Sequence, residues 1–208
     1  MRTQGNRLFL SRRFTEAIEY ARQHHTEFRK GTDIPYMAHL LGVAALVMGE
    51  AGGRVLVTED MVLAALLHDV VEDHGGMTRL HEVEQRFGAN VARTVEGLSD
   101  SFAENQHPKD EWKKRKSEYI ERLRHEPDDV LLISAADKLY NAKAILDDFK
   151  DIGEAIWKRF NRGADQQLWY FDELVAVYLL RPRNRIVNEL ERVVGELAAL
   201  TPKVSSEE

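Results

Sequence analysis

The chain contains no cysteine, which removes disulfide scaffolds, cysteine nucleophiles and thiolate metal sites. Its longest uninterrupted apolar run, Met61 to Leu67, falls far short of the ~20 residues that span a bilayer. The short apolar stretch Leu8-Phe9-Leu10 near the start is no signal-peptide segment, so a cytoplasmic protein with no membrane partner is expected. Basic residues are in deficit: 29 Lys+Arg against 35 Asp+Glu leave a formal charge of −6. That balance excludes a general nucleic-acid binder, whose phosphate contacts need a basic surface. It still allows a local cluster of bases to hold a small anionic ligand. Prolines (5) and glycines (13) are scarce, and most fall between helical segments. What is abundant, 43% hydrophobic and 31% charged residues over 208 positions, fits one globular domain.

Apolar residues at helical spacing predict helices over 11–28, 36–50, 58–73, 78–87, 89–98, 112–124, 128–149, 152–160, 165–180 and 183–200. Ser11, Thr58 and Thr78 are candidate caps, and Glu59 and Asp60 suit a first turn. Gly31 and Pro35 punctuate a loop; Gly52-Gly53, Gly75-Gly76 and Gly88 stop helices. The polar stretch 99–108 reads as a loop and 201–208 as a frayed tail. No strand-like alternation persists. The expected fold is all-α, with one domain over 11–180 and a C-terminal helix and tail over 181–208 packed on it or extending from it.

Polar groups of metal-ligand type interrupt two apolar helical runs. His68-Asp69 follows Ala64-Ala65-Leu66-Leu67, Asp137 closes Leu131 to Ala136, and His39 lies just after the Pro35 turn. A carboxylate buried in a helical core costs several kcal/mol unless it is paired or metal-bound. A divalent ion would satisfy Asp69 and Asp137 together, with His39 and His68 completing a mixed N/O set suited to Mn²⁺, Fe²⁺ or Zn²⁺. Buried salt bridges, for example Asp137 with Lys138 or Arg29, are the alternative. One turn beyond His68 and Asp69 stand Glu72 and Asp73, placed by helical spacing on the ligands' face to orient a water and carry its proton. Acids at a helix C-terminus oppose its dipole, so this group calls for compensating positive charge. The remaining histidines, His24-His25 and His74 among them, read as helix-terminal or surface residues.

These segments resemble the RelA/SpoT-type hydrolase domain of the HD superfamily. The resemblance lies in Phe28-Arg29-Lys30 through Pro35-Tyr36-Met37-Ala38-His39, in Ala64 to Asp73 (ALLHDVVED), in Phe87-Gly88-Ala89-Asn90-Val91-Ala92 with Gly97, and in Ala136-Asp137-Lys138-Leu139-Tyr140-Asn141-Ala142-Lys143. The last is similar to the form in stand-alone small alarmone hydrolases. The match runs from about Ala17 to Leu146. It implies a helical HD bundle with additional C-terminal helices and one ion, usually Mn²⁺, on His39, His68, Asp69 and Asp137. It further implies removal of the 3′-pyrophosphate from guanosine tetra- or pentaphosphate, with Glu72 and Asp73 as the acidic catalytic pair. Asn141 matches the nucleotide-contacting Asn, and Arg29 and Lys30 the basic pair at base and phosphates.

The sequence departs from the family at Leu40 (usually Pro), Ala144 (often Thr near the guanine) and Lys143 (often Arg), and its loop after Lys30 is one residue longer. Further substrate contacts are expected from Lys143, from Lys113 in the cluster Lys113-Lys114-Arg115-Lys116, where Lys113 and Lys116 share a side with Trp112 and a solvated helix face is the alternative, and from Tyr170, whose alternative is core packing. Arg159 and Arg162 are weaker candidates. No synthetase domain is expected after Leu200, and self-association is left open. Two other functions fit the same motifs: hydrolysis of another nucleotide (a nucleoside monophosphate or NADPH), and a non-catalytic alarmone-binding module.

Overall fold

Ser11 opens the bundle as a cap, its hydroxyl accepting from the Arg13 N–H, and the helix it starts is the first of a series. The computed structural model describes residues 7–53, 55–100 and 112–201. Its helices are α1 (Arg12–His24), α2 (Tyr36–Gly49), α3 (Glu59–Leu67), α4 (Val70–Asp73), α5 (Gly76–Phe87), α6 (Ala89–Leu98), α7 (Trp112–Leu123), α8 (Asp128–Ile152), a 3-10 helix (Gly153–Arg159), α9 (Ala164–Tyr178) and α10 (Arg185–Leu200). Among the described residues there is no strand, only one bridge between Phe28 and Pro35. The all-α expectation holds. No described helix is long and apolar enough to cross a membrane.

The middle of α8 is buried from Val130 to Asp137 and α3 is buried from Met61 to Leu67, which explains why both read as continuous apolar runs. Helix α8 packs against α2, α3, α6, α9 and α10, so it forms the axis on which the other elements stack. Helix α10 lies along α8 and contributes Leu190, Val193 and Leu197 to the same core. Thr58 caps α3 through a bond from the Met61 N–H, as its sequence position predicts.

Several boundaries differ from the periodicity, and each has a local cause. Helix α1 stops at His24 because the chain turns inward: Tyr36 N–H donates to Glu27 O at 2.9 Å and Arg29 N–H to Ile34 O at 2.8 Å. Gly31 closes that hairpin with φ of 73°, a left-handed conformation that favours glycine. The helix expected over 58–73 breaks at His68-Asp69 into α3 and α4. Thr78 caps nothing, since α5 begins at Gly76 after Gly75 swings to φ of 131°. The 152–160 segment is a 3-10 turn, and α8 runs on to Ile152. Of the predicted 99–108 loop only Ser99 and Asp100 are described, and of the predicted tail only Thr201; the rest lies outside the described residues.

Gly42 sets how closely α2 and α8 approach. A Cβ there would stand 2.0 Å from Cε2 of Tyr140, so alanine can fit only if the Tyr140 ring moves. Gly42→Ala gains about 1 kcal/mol of helix propensity but overpacks a tight contact, at a cost of about 1–3 kcal/mol. A lower urea midpoint, together with weaker ligand binding in the cleft that Tyr140 lines, is the expected result. An unchanged midpoint and affinity would show that the ring yields freely.

Candidate active site

Three separate helical segments bring their donors to one point. His39 projects from the first turns of α2, His68 and Asp69 occupy the break between α3 and α4, and Asp137 projects from the middle of α8. His39 Nε2 lies 3.2 Å from His68 Nε2, 3.4 Å from Asp69 Oδ2 and 3.3 Å from Asp137 Oδ1. His68 Nε2 lies 2.9 Å from Asp69 Oδ2 and 3.8 Å from Asp137 Oδ1. Donors bonded to one ion at about 2.0–2.2 Å stand roughly 3.0–3.5 Å apart, so these spacings suit a shared cation. His39, His68 and Asp69 form a group of donors close enough to one another to hold a divalent ion, and Asp137 Oδ1 borders that group at the two imidazoles. The break at His68-Asp69 serves this convergence, because it lets both side chains of a consecutive pair face the same point.

Neighbouring groups hold the donors in place. His68 Nδ1 donates to Ala65 O at 2.9 Å, which leaves the Nε2 lone pair facing the cluster. The Tyr36 hydroxyl donates to Asp69 Oδ2 at 2.6 Å, and Asn141 Nδ2 donates to Asp137 Oδ1 at 2.6 Å. Lys138 Nζ sits 2.5 Å from Asp137 Oδ2. Salt bridge and ligand cluster therefore coexist on one carboxylate, each oxygen serving one of them. Arg29 does not pair with Asp137; its Nη2 donates to Asn141 Oδ1 at 2.9 Å. Burial by itself would push both carboxyls up. The His68 and His39 imidazoles outweigh it and hold Asp69 well below the usual carboxylate range, and Lys138 followed by the same imidazoles does so for Asp137.

Glu72 lines the same polar cavity, about 120 Å³ in volume, with Asp100, Lys116, Tyr119, Lys138, Asn141 and Tyr170. Burial, then the Asp100 carboxylate, pushes the Glu72 carboxyl well above its ordinary value. The Asp100 N–H donates to Glu72 Oε2 at 3.1 Å, and the Asp100 carboxylate is paired with Arg115 and Lys116. Of these two cations, Lys116 also acts on Glu72 and so offsets part of the acidic helix end's charge. Asp73 departs from the expected shared face. It does not line the cavity and keeps a solvent-exposed edge, while burial of its other side and Asp69 raise its carboxyl to about 6.

A wider cleft of about 460 Å³ adjoins this cavity, and Arg29, Lys30, Tyr140, Lys143, Ala144 and Phe160 are among the residues that line it. Its size falls in the ligand-pocket range of roughly 300–1,000 Å³. The Arg29–Asn141 bond stands between the two spaces, Arg29 lining one and Asn141 the other. Lys30 and Lys143 are held at the cleft's rim by Asn161 and Glu189. Arg159 lines the cleft too, whereas Arg162 does not.

Lys113 is not brought to either space; its ammonium lies 5.0 Å over the Trp169 ring. One turn on, Lys116 enters the cavity, 4.8 Å over the Tyr170 ring. Tyr170 is both core and lining: it is 6% exposed, and its hydroxyl is buried with no hydrogen-bond partner among the described residues. His25 closes the first helix as its sequence position predicts, and it is buried there at 2% exposure. Sequence reasoning left out Tyr36, Asp100, Tyr119 and, as a cavity residue, Lys138. Tyr36 and Lys138 each adjoin or sit within a quoted motif, which was the available signal. Asp100 and Tyr119 had none, because their place depends on how α6 and α7 meet α8.

A family model described as HD domain matches residues 17–161. The guanosine-3′,5′-bis(diphosphate) 3′-pyrophosphohydrolase of mouse is 41% identical over 133 residues, covering 62% of this chain and 66% of the relative. The human protein of the same name is 42% identical over 131 residues, with the same coverage. The chain thus spans just under two thirds of these relatives. A solved structure described as a metazoan SpoT orthologue that hydrolyses ppGpp superposes with a TM-score of 0.71 at 25% identity, over 90% of this chain and 97% of that one. A Listeria monocytogenes protein superposes with a TM-score of 0.63 at 29% identity, over 78% of this chain and 95% of that one.

Proposed function

Because this chain belongs to the HD-domain family, we propose that it is a metal-dependent phosphohydrolase that removes the 3′-pyrophosphate of guanosine tetra- and pentaphosphate, releasing pyrophosphate and GDP or GTP. The observation that carries this reading is the junction of two unlike spaces. A small polar cavity with four convergent donors opens beside a cleft large enough for a nucleoside, and Arg29 and Asn141 stand at the join.

His39, His68, Asp69 and Asp137 hold the ion, and Mn²⁺ suits their two-imidazole, two-carboxylate set, with Zn²⁺ and Fe²⁺ as competitors. Such an ion supplies Lewis acidity to phosphoryl oxygens and acidifies water. Glu72 takes the proton of the attacking water, and burial beside the Asp100 carboxylate raises its proton affinity. Asp73 stands outside the cavity and acts only through its charge beside Asp69. Lys116 and Lys138 supply positive charge to the diphosphate oxygens, and Arg29 reaches them from the other side. Tyr170 offers its buried hydroxyl to the sugar or the diphosphate. The base occupies the wider cleft, over Tyr140 and against Ala144, with Lys30 and Lys143 at its rim.

The test is incubation of Mn²⁺-loaded protein with guanosine tetraphosphate and identification of the products. Pyrophosphate and GDP in equal amounts are expected. Orthophosphate as the product, or faster turnover of a nucleoside monophosphate or NADPH in a parallel panel, would move the assignment to another nucleotide. Retention of the tetraphosphate without turnover would make the protein a binding module.

A further inference from the structure

Behind the acidic pair lies a second group of metal-ligand side chains. His25 Nδ1 is 2.7 Å from Glu27 Oε1, His74 Nε2 is 3.2 Å from His25 Nδ1, and His74 Nε2 is 3.5 Å from Glu27 Oε1. Each element places one donor for its own reason. His25 ends the first helix where the chain turns inward, Glu27 opens the short hairpin whose backbone bonds to Tyr36, and His74 follows the last residue of α4. The three donor atoms form a small triangle, and two of its three members are partly open to solvent, His74 at 29% and Glu27 at 40% side-chain exposure.

From this geometry we infer a second divalent-cation site on His25, Glu27 and His74, distinct from the four-donor centre and taking Zn²⁺ in preference to Mn²⁺. The three donor atoms lie within 2.7–3.5 Å of one another, so one cation could touch all of them at once. Two imidazoles and one carboxylate, with the remaining positions facing water, are a common zinc donor set. Affinity of nitrogen-rich sites rises from Mn²⁺ toward Zn²⁺, so the two centres should differ in preference. The site is also the weaker of the two. It has three protein donors, and metal on Nδ1 would move the His25 proton to Nε2, which is buried with no partner among the described residues. Loss of such outer support typically costs about 10–100-fold in affinity, and that is the expected gap in Zn²⁺ affinity between the centres.

One ring lies between the two groups. His25 stacks on Tyr36 at 4.9 Å and 11°, and the Tyr36 hydroxyl bonds Asp69. Nothing in this inference depends on which nucleotide the protein hydrolyses.

The experiment is a Zn²⁺ titration of the chelator-stripped full chain, read as bound metal by equilibrium dialysis. Two equivalents are expected, the second about 10–100-fold weaker. His74→Ala and Glu27→Gln, both at partly exposed positions, should each lose the weak equivalent and keep the tight one, which also shows that the variants are folded. Asp137→Ala should lose the tight equivalent and keep the weak one. A single equivalent in the unaltered protein, or a weak equivalent that survives both His74→Ala and Glu27→Gln, overturns the inference. Failure to hydrolyse guanosine tetraphosphate would leave this stoichiometry untouched, so the two readings fail separately.

Discussion

Glu72→Gln is expected to keep its divalent ion and to lose kcat by about 10²–10⁴-fold, the usual contribution of a positioned acid–base group. Glutamine preserves the size of the side chain and can still accept the Asp100 N–H bond, so the cavity should survive. What it removes is the capacity to take a proton. Burial and the neighbouring Asp100 carboxylate make that capacity large in the native protein. KM for the nucleotide should change much less than kcat, because the charges that meet the substrate are elsewhere. Metal content measured beside steady-state kinetics checks both halves. Native turnover in the Gln variant would take Glu72 out of the mechanism, and loss of the metal would show it to be structural.

Asp137→Ala has the opposite signature: loss of tight metal, loss of turnover and a large loss of stability together. The carboxylate serves the donor cluster through Oδ1 and Lys138 through Oδ2. Its removal leaves the Lys138 ammonium in a buried site without its counter-charge, a change that typically costs about 3–5 kcal/mol. The stability comparison belongs in chelator-treated protein, so that lost metal binding does not contribute to it. Asp137→Asn, which keeps the shape of the side chain, should be intermediate in stability and equally inactive. A urea midpoint for Asp137→Ala equal to that of the native protein would show that Lys138 finds another partner.

Much of the fold was legible in the amino-acid order, because the helices here are amphipathic or buried in ways that leave a periodic trace. The cap at Thr58, the all-α class and the positions of α6, α7 and α8 follow from local chemistry and match the structure closely. That His39, His68, Asp69 and Asp137 stand out as a candidate group was legible for a related reason. A His or Asp set at the end of an apolar run is conspicuous, since the core around it offers so little to pair with. Helical spacing misled at Asp73 and not at Glu72. A one-turn offset from His68 and Asp69 places both acids on one face only if the helix is continuous, and the break at His68-Asp69 turns Asp73 outward.

The sequence alone determined which residues are helical, which carboxylates and imidazoles sit among apolar neighbours, and the family motifs that hold them. Only the tertiary structure decided that Lys116 rather than Lys113 enters the cavity, that Asp100 neutralises its two cations beside Glu72, and that His25, Glu27 and His74 meet. The reason is range. Caps, periodicity and breakers act over a few residues of chain, whereas those contacts depend on how α1, α4, α6 and α7 dock around α8. That docking is set by the summed fit of side chains far apart in the sequence.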